Sequence, residues 1–178
     1  MNDRIQEKKT VLKGKFEDVI SENEHFYVVH KLDKICTLPY TISDNGLLQQ
    51  IGVIKEIDPL KEKENYVLIN GYINQDDPTN LVCANRLLFE IIGSNVGNAG
   101  EWMYLGQVNN TLSSNGIKIY CVNLTGVDIN QSEEALESKT ASKFEMVEAN
   151  KVIVSDDALF LAAYMRLFNY FYVNSLKE

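Results

Sequence analysis

The chain has 178 residues, of which 45% are hydrophobic and 24% charged, with only 10 glycines and 3 prolines. This composition excludes collagen-like, low-complexity and disordered proteins. Its 25 acidic residues against 17 basic ones give a net charge of -8, and such a charge repels a phosphate backbone. We therefore expect one globular domain over residues 1–178 and no nucleic-acid partner.

The cysteines and histidines argue against disulfides and against a histidine-built metal site. Cys36, Cys83 and Cys121 are odd in number, form no C-x-x-C motif and lie in apolar runs, which predicts reduced, buried thiols. There are only 2 histidines. Neither an apolar leader nor an apolar run of about 18 residues occurs, so we expect no membrane partner and a cytoplasmic location.

The first half of the chain is typical of β-strands. Residues 1–25 are assigned to an N-terminal extension or a first strand. Runs rich in β-branched and aromatic residues then predict further strands at 26–30, 35–40, 47–57 and 66–73. Ser43–Gly46 is a turn by composition, and residues 58–65 form a charged connection.

Helical spacing begins after Asp77-Pro78. Apolar residues recur at 81, 84, 88 and 92, which predicts a helix over 79–92 that ends at Gly93. Strands at 101–106 and 116–124 follow as a hairpin, because turn residues lie between them.

The last part of the chain contains a polar loop or short helix (128–142), a strand (144–154) and a helix over 156–172 that Ser155 caps. Strands interleaved with two helices predict an α+β fold, an α/β/α sandwich with a mixed sheet flanked by helices. The last helix is apolar on most faces, so we expect self-association or a place in a larger assembly.

The stretch from Gly71 to Val96 resembles the box of the Nudix hydrolases, G-x5-E-x7-R-E-U-x-E-E-x-G-U, where U is apolar. The matching residues are Gly71, Ala84, Arg86, Leu88, Glu90 and Gly93. Asp77 stands where the first glutamate is expected, while Leu87 and Ile91 replace two further glutamates. The segment from Asp77 to Arg86 is also one residue too long, so the box is degenerate.

Two further segments extend the resemblance. Trp102–Gly106 and Ser113–Gly116 are similar to a region of the ADP-ribose pyrophosphatase branch, with Asn115 in place of a proline. Residues 154–159 resemble the opening of the family's last helix. The resemblance thus covers about residues 26–172.

The resemblance implies a set of site residues. Glu90 and Arg86 become the catalytic candidates, and Glu90 and Asp77 the candidate ligands of Mg²⁺. Trp102, Tyr104 and Ser114 become candidates for binding a nucleotide, whose base an aromatic ring can stack on. Each has a simpler alternative: Arg86 and Glu90 as an exposed helical ion pair, and the two aromatic residues as core.

We interpret the chain first as a Nudix-fold protein with a degraded metal site. Hard cations need several converging oxygen ligands, and Leu87 and Ile91 supply none. It would then be a non-catalytic binding or structural module without a cofactor, and its Asn/Ile/Lys-rich usage would suit a phage-encoded virion component. The alternative is a Mg²⁺-dependent hydrolase of ADP-ribose or a related nucleoside diphosphate derivative. A third interpretation is an acidic interaction module unrelated to nucleotides.

Overall fold

The computed structural model describes residues 9–15, 17–22, 25–58, 62–94, 96, 102–109, 116–129 and 143–175. The first three strands form an antiparallel sheet of their own: β1 (Lys9–Lys13), β2 (Glu17–Glu22) and β3 (His25–His30). Two strands therefore occupy the segment for which an extension or one strand was predicted. Both form because β2 pairs with β1 on one side and with β3 on the other. The assignment of residues 1–178 to one domain stays a prediction.

The remaining strands form a second, larger sheet. Its main path runs β10-β5-β4-β9-β8, and only the β4–β9 pair is parallel, so the sheet is mixed as predicted. The strands are β4 (Lys34–Ile42), β5 (Leu48–Asp58), β6 (Lys63–Val67), β7 (Ile69–Tyr72), β8 (Trp102–Val108), β9 (Ile117–Asn123) and β10 (Lys143–Glu148).

Strands β6 and β7 fill the space where β4 and β5 diverge. β6 pairs with the end of β5, and β7 pairs with the start of β4. The single strand predicted over 66–73 is therefore wrong, because the chain changes its pairing partner at Leu68. The predicted charged connection over 58–65 also ends early, since β6 begins at Lys63 and Glu64 forms an ion pair of 2.8 Å with Lys55.

Within the described part of the chain, one helix lies on each face of the larger sheet. α1 (Asn80–Ile92) begins after Thr79, whose hydroxyl accepts a hydrogen bond from the Val82 N–H at 3.2 Å, and ends at Gly93 in the left-handed conformation. α2 (Ala158–Ser175) lies on the opposite face. Side chains alternate along β4, so Ile35 packs in the cluster under α1 while Cys36 and Leu38 pack in the cluster under α2. The predicted α/β/α sandwich is confirmed.

The chain enters α2 differently from the prediction. β10 ends at Glu148, and a 3-10 helix (Ala149–Val154) replaces the rest of the predicted strand. Asp157, and not Ser155, caps α2, because its carboxylate accepts the Phe160 N–H. The Ser155 hydroxyl instead donates to the Tyr66 carbonyl at 2.8 Å and joins the helix start to β6.

Two further expectations concern the thiols and the membrane. Cys36, Cys83 and Cys121 are all free and buried, as predicted. Among the described residues, no helix is long and apolar enough to cross a membrane.

Candidate functional site

Arg86 is the centre of a polar cluster where α1 lies over the end of β7. Its Nε and Nη2 donate to the two carboxylate oxygens of Asp77, at 3.0 and 2.8 Å. Its Nη1 donates to Oε1 of Glu90 at 2.9 Å, and Nη2 also reaches the Tyr72 carbonyl at 3.1 Å. The structure therefore brings together three of the predicted site residues. The simpler alternative was an isolated helical ion pair between Arg86 and Glu90. In the structure this pair is part of a larger cluster, because Arg86 also binds Asp77.

The carboxylate of Asp77 is buried and accepts hydrogen bonds from several protein donors. Its side chain is only 2% exposed, and besides Arg86 it accepts the Asn74 N–H at 2.8 Å. The hydrogen bonds from Arg86 lower the pKa of Asp77 to about 2 despite burial, and Asp77 in turn raises the pKa of Arg86. This bidentate pair stays charged at neutral pH and fixes the loop between β7 and α1. Asp77 is thus a structural anchor, with its acceptor sites occupied by protein donors.

Glu90 is the exposed member of the cluster. Its side chain is 53% exposed, and it lies one helical turn after Arg86. A carboxylate in this position can accept a proton or contribute one oxygen to a cation.

The two other positions that the resemblance assigns to glutamates are apolar and packed. Leu87 is buried against Gly71 on β7, and Ile91 packs against the same cluster under α1. Neither position provides an oxygen ligand.

The residues that the structure describes do not fit a magnesium site. Mg²⁺ requires octahedral oxygen coordination, and in proteins it is held by carboxylates that face a common point. Among the described residues, no group of three histidine, cysteine, aspartate or glutamate side chains could hold a metal ion. The carboxylate of Asp77 is fully engaged in its ion pair with Arg86, and the carboxylate of Glu90 is partly engaged in another.

The candidate aromatic residues lie at the opposite edge of the sheet. Trp102 packs against the cluster under α1, whereas Tyr104 is 51% exposed and its ring lies 5.1 Å from that of Tyr120. Two strands, β4 and β9, separate β8 from β7, which corresponds to about 14 Å across the sheet. Tyr104 is therefore not in direct contact with the Arg86 cluster. Ser114 lies outside the described residues.

Sequence reasoning missed two tyrosines. The Tyr72 hydroxyl donates to Oε2 of Glu17 at 3.0 Å, so the residue whose carbonyl binds Arg86 also contacts β2 of the smaller sheet. Burial and this hydrogen bond raise the pKa of Tyr72 to about 12. Tyr120 becomes the ring partner of Tyr104 only through the β8–β9 register. In the sequence, the one feature that could have drawn attention to Tyr72 is its position directly after Gly71, the first residue of the box.

The fold is similar to that of solved hydrolases. One is an ADP compounds hydrolase, with a TM-score of 0.59 and 15% identity, where the match covers 94% of this chain and 93% of that one. Another is a NUDIX hydrolase from Listeria monocytogenes, with a TM-score of 0.54 and 13% identity, covering 80% of this chain and 95% of that one. No family model and no curated protein matches the sequence. The TM-scores establish a shared fold, and a shared fold does not by itself imply a shared chemistry.

Proposed function

We propose that this chain, which has the Nudix fold, is a nucleotide-binding module whose hydrolytic metal centre has been lost. One observation carries the proposal. Arg86 binds both carboxylates that remain of the box, Asp77 and Glu90, while packed Leu87 and Ile91 fill the other ligand positions. A role in a phage virion stays a prediction from composition.

A nucleotide is the proposed ligand because aromatic side chains lie at the edge of the sheet formed by β8 and β9. Tyr104 and Tyr120 are neighbours across β8 and β9, and Tyr104 presents a half-exposed ring. Stacking on such a ring suits the flat apolar face of a base. Without a metal to neutralise phosphates, we expect a bound nucleotide to be held mainly through its base.

A fluorescence titration tests this binding. The chain has a single tryptophan, Trp102, which lies two residues from Tyr104 on β8 and reports on that edge. We expect ADP-ribose or ADP to change its emission saturably and Tyr104→Ala to weaken the binding about tenfold. Phe26→Ala removes another exposed aromatic ring, on β3, and serves as the matched control. No saturable change with the native chain, or an equal loss in both variants, would contradict binding at this edge.

The alternative, a hydrolase of ADP-ribose or a related nucleoside diphosphate derivative, is favoured by the solved hydrolases that share the fold. A phosphate-release assay with Mg²⁺ or Mn²⁺ separates the two functions. We expect turnover near background that Glu90→Gln does not change.

Glu148→Gln is the matched control for that assay, because Glu148 is also an exposed glutamate in a short-range ion pair, with Lys151 at 3.1 Å. A native rate of the order of 1 s⁻¹, ordinary for enzymes, would establish the hydrolase if Glu90→Gln abolishes it and Glu148→Gln leaves it unchanged.

A further inference from the structure

We propose that Asn45, in the turn between β4 and β5, is a site of spontaneous deamidation and isoaspartate formation, and that the fold protects Asn70 from the same reaction. Asn-Gly pairs occur in the sequence at residues 45–46, 70–71 and 115–116. An asparagine before a glycine is especially prone to this reaction, because glycine has no Cβ to hinder the approach of its own amide nitrogen. Asn115 lies outside the described residues, so the proposal compares the first two pairs.

The reaction consumes only water. The backbone nitrogen of Gly46 loses its proton to solvent and attacks Cγ of Asn45 within the same chain. A bond forms between these two atoms, the bond from Cγ to the side-chain nitrogen breaks, and ammonia leaves with a proton from solvent. Water then adds to one of the two carbonyl carbons of the resulting five-membered succinimide, which opens to aspartate or to isoaspartate. No group is oxidised or reduced.

The turn leaves the attacking nitrogen accessible. Residues 44–47 are exposed, and a Cβ placed on Gly46 would meet no other heavy atom within 4 Å. The Gly46 N–H donates to the Ser43 carbonyl at 2.8 Å. Exposed hydrogen bonds of this kind open locally at low free energy, without unfolding of the core. The nitrogen can therefore be freed while the rest of the sheet stays intact.

The side chain of Asn45 is also placed for the reaction. The Ser43 hydroxyl donates to Oδ1 of Asn45, which keeps the side-chain amide close to its own turn. Negative charge develops on this oxygen as Gly46 attacks Cγ, and a hydrogen-bond donor next to such an oxygen stabilises the charge. Ser43 thus favours the slow step.

Asn70 belongs to the same dipeptide and its side chain is exposed, but its backbone is fixed. β7 pairs with β4 through both Asn70 and Gly71, and Leu87 packs so closely on Gly71 that no Cβ fits there. The side-chain nitrogen of Asn70 donates to the Leu68 carbonyl at 2.9 Å. Ring closure requires the peptide unit between the two residues to rotate, which would break the strand pairing and the contact with α1. Exposure of the side chain is therefore not sufficient for the reaction.

The modification changes the turn chemically and geometrically. Each conversion replaces a neutral amide by a carboxylate, which adds a negative charge to a chain that already carries -8. Isoaspartate also lengthens the main chain by one methylene group inside a turn that the Ser43 N–H closes by donating to the Leu47 carbonyl at 2.9 Å. The turn lies at the end of β4 opposite to that paired with β7, so the Arg86 cluster should be unaffected.

Peptide mapping by mass spectrometry tests the proposal on the full chain, incubated in mildly alkaline buffer with and without urea. The tryptic peptide over residues 35–55 contains Asn45 as its single asparagine. In the folded chain, Asn45 should convert at least about tenfold faster than Asn70, because only the turn opens readily. In urea the two rates should converge, since both residues then belong to the same unfolded dipeptide.

Two variants serve as controls. Asn45→Gln should leave the peptide over 35–55 unmodified, because glutamine would have to close a six-membered ring. Asn169→Gln changes an exposed asparagine on α2 that precedes a tyrosine, and should not alter the rate at Asn45. Equal rates at Asn45 and Asn70 in the folded chain would overturn the proposal. A difference that persists unchanged in urea would also overturn it, because the fold would then not be its cause.

Discussion

Leu87 packs onto Gly71 so closely that residue 71 has no room for a Cβ. This contact seats α1 on β7, and it explains why a glycine lies near the end of the strand. Leu87, at the position where the Nudix resemblance expects a glutamate, is therefore part of the hydrophobic contact between helix and sheet.

The first prediction concerns this contact. Gly71→Ala should lower the free energy of unfolding by about 1–3 kcal/mol, because the new methyl group overpacks a filled site. Urea denaturation of the native chain and the variant measures the difference.

A double-mutant cycle with Leu87→Ala provides the control. Shortening Leu87 leaves a cavity and destabilises on its own, but in the double variant the methyl group introduced by Gly71→Ala gains space. The double variant should therefore lose less stability than the sum of the two single losses. Strict additivity would show that the two residues do not share a contact.

The second prediction concerns metal binding. Isothermal titration with Mg²⁺ or Mn²⁺ should show no saturable site in the millimolar range. Arg86 already binds the carboxylate of Asp77, and among the described residues no three histidine, cysteine, aspartate or glutamate side chains could hold a metal ion together. Leu87→Glu should not create such a site, because it buries a carboxylate against Gly71 and destabilises the fold. Micromolar affinity in the native chain would contradict the proposed loss of the metal centre.

The third prediction is a pH dependence due to Asp77. Its pKa falls from 3.8 in the unfolded chain to about 2 in the folded one. The folded state thus favours the carboxylate, and its contribution of about 2 kcal/mol is complete above pH 4. It should be lost as the pH falls from about 4 to about 2, because the unfolded chain takes up the proton first.

Asp77→Asn isolates this contribution. The variant should be less stable at neutral pH, and its stability should fall less steeply than that of the native chain between pH 4 and 2. Chemical denaturation at several pH values gives both curves. Parallel curves for the two proteins would mean that the Asp77–Arg86 pair contributes no pH-dependent stability.

The fourth prediction concerns the bulge in β8. The β8–β9 register shifts between Tyr104 and Gly106, where Gly106 has a φ of 103°, and Arg166 on α2 donates to the adjoining carbonyls. Arg166→Ala should cost about 1.5–3 kcal/mol, because both charge-assisted hydrogen bonds disappear. Asn169→Ala, at an exposed position on the same helix, should change the stability by less than about 0.5 kcal/mol. Equal losses in the two variants would contradict the role of Arg166.

Features with local causes could be predicted from the order of residue types along the chain. The bounds of α1 follow from apolar residues at helical spacing between Thr79 and Gly93. The turn at Ser43–Gly46 follows from residues that tolerate its backbone, with Gly46 at a φ of 76°. The order of these elements was enough to predict an α/β/α sandwich, because strands and helices can bury their apolar faces together in only a few ways.

Contacts between groups that are distant along the chain become visible only in the folded protein. Asp77 lies nine residues before Arg86, and no periodic pattern indicates that their side chains form a bidentate pair. The division of one predicted strand at Leu68 depends on which neighbour offers free backbone groups, β5 before it and β4 after it. The contact between Tyr72 and Glu17 spans 55 residues. Pairing and burial of this kind are properties of the folded sheet, so they cannot be predicted from the residue types of a local segment.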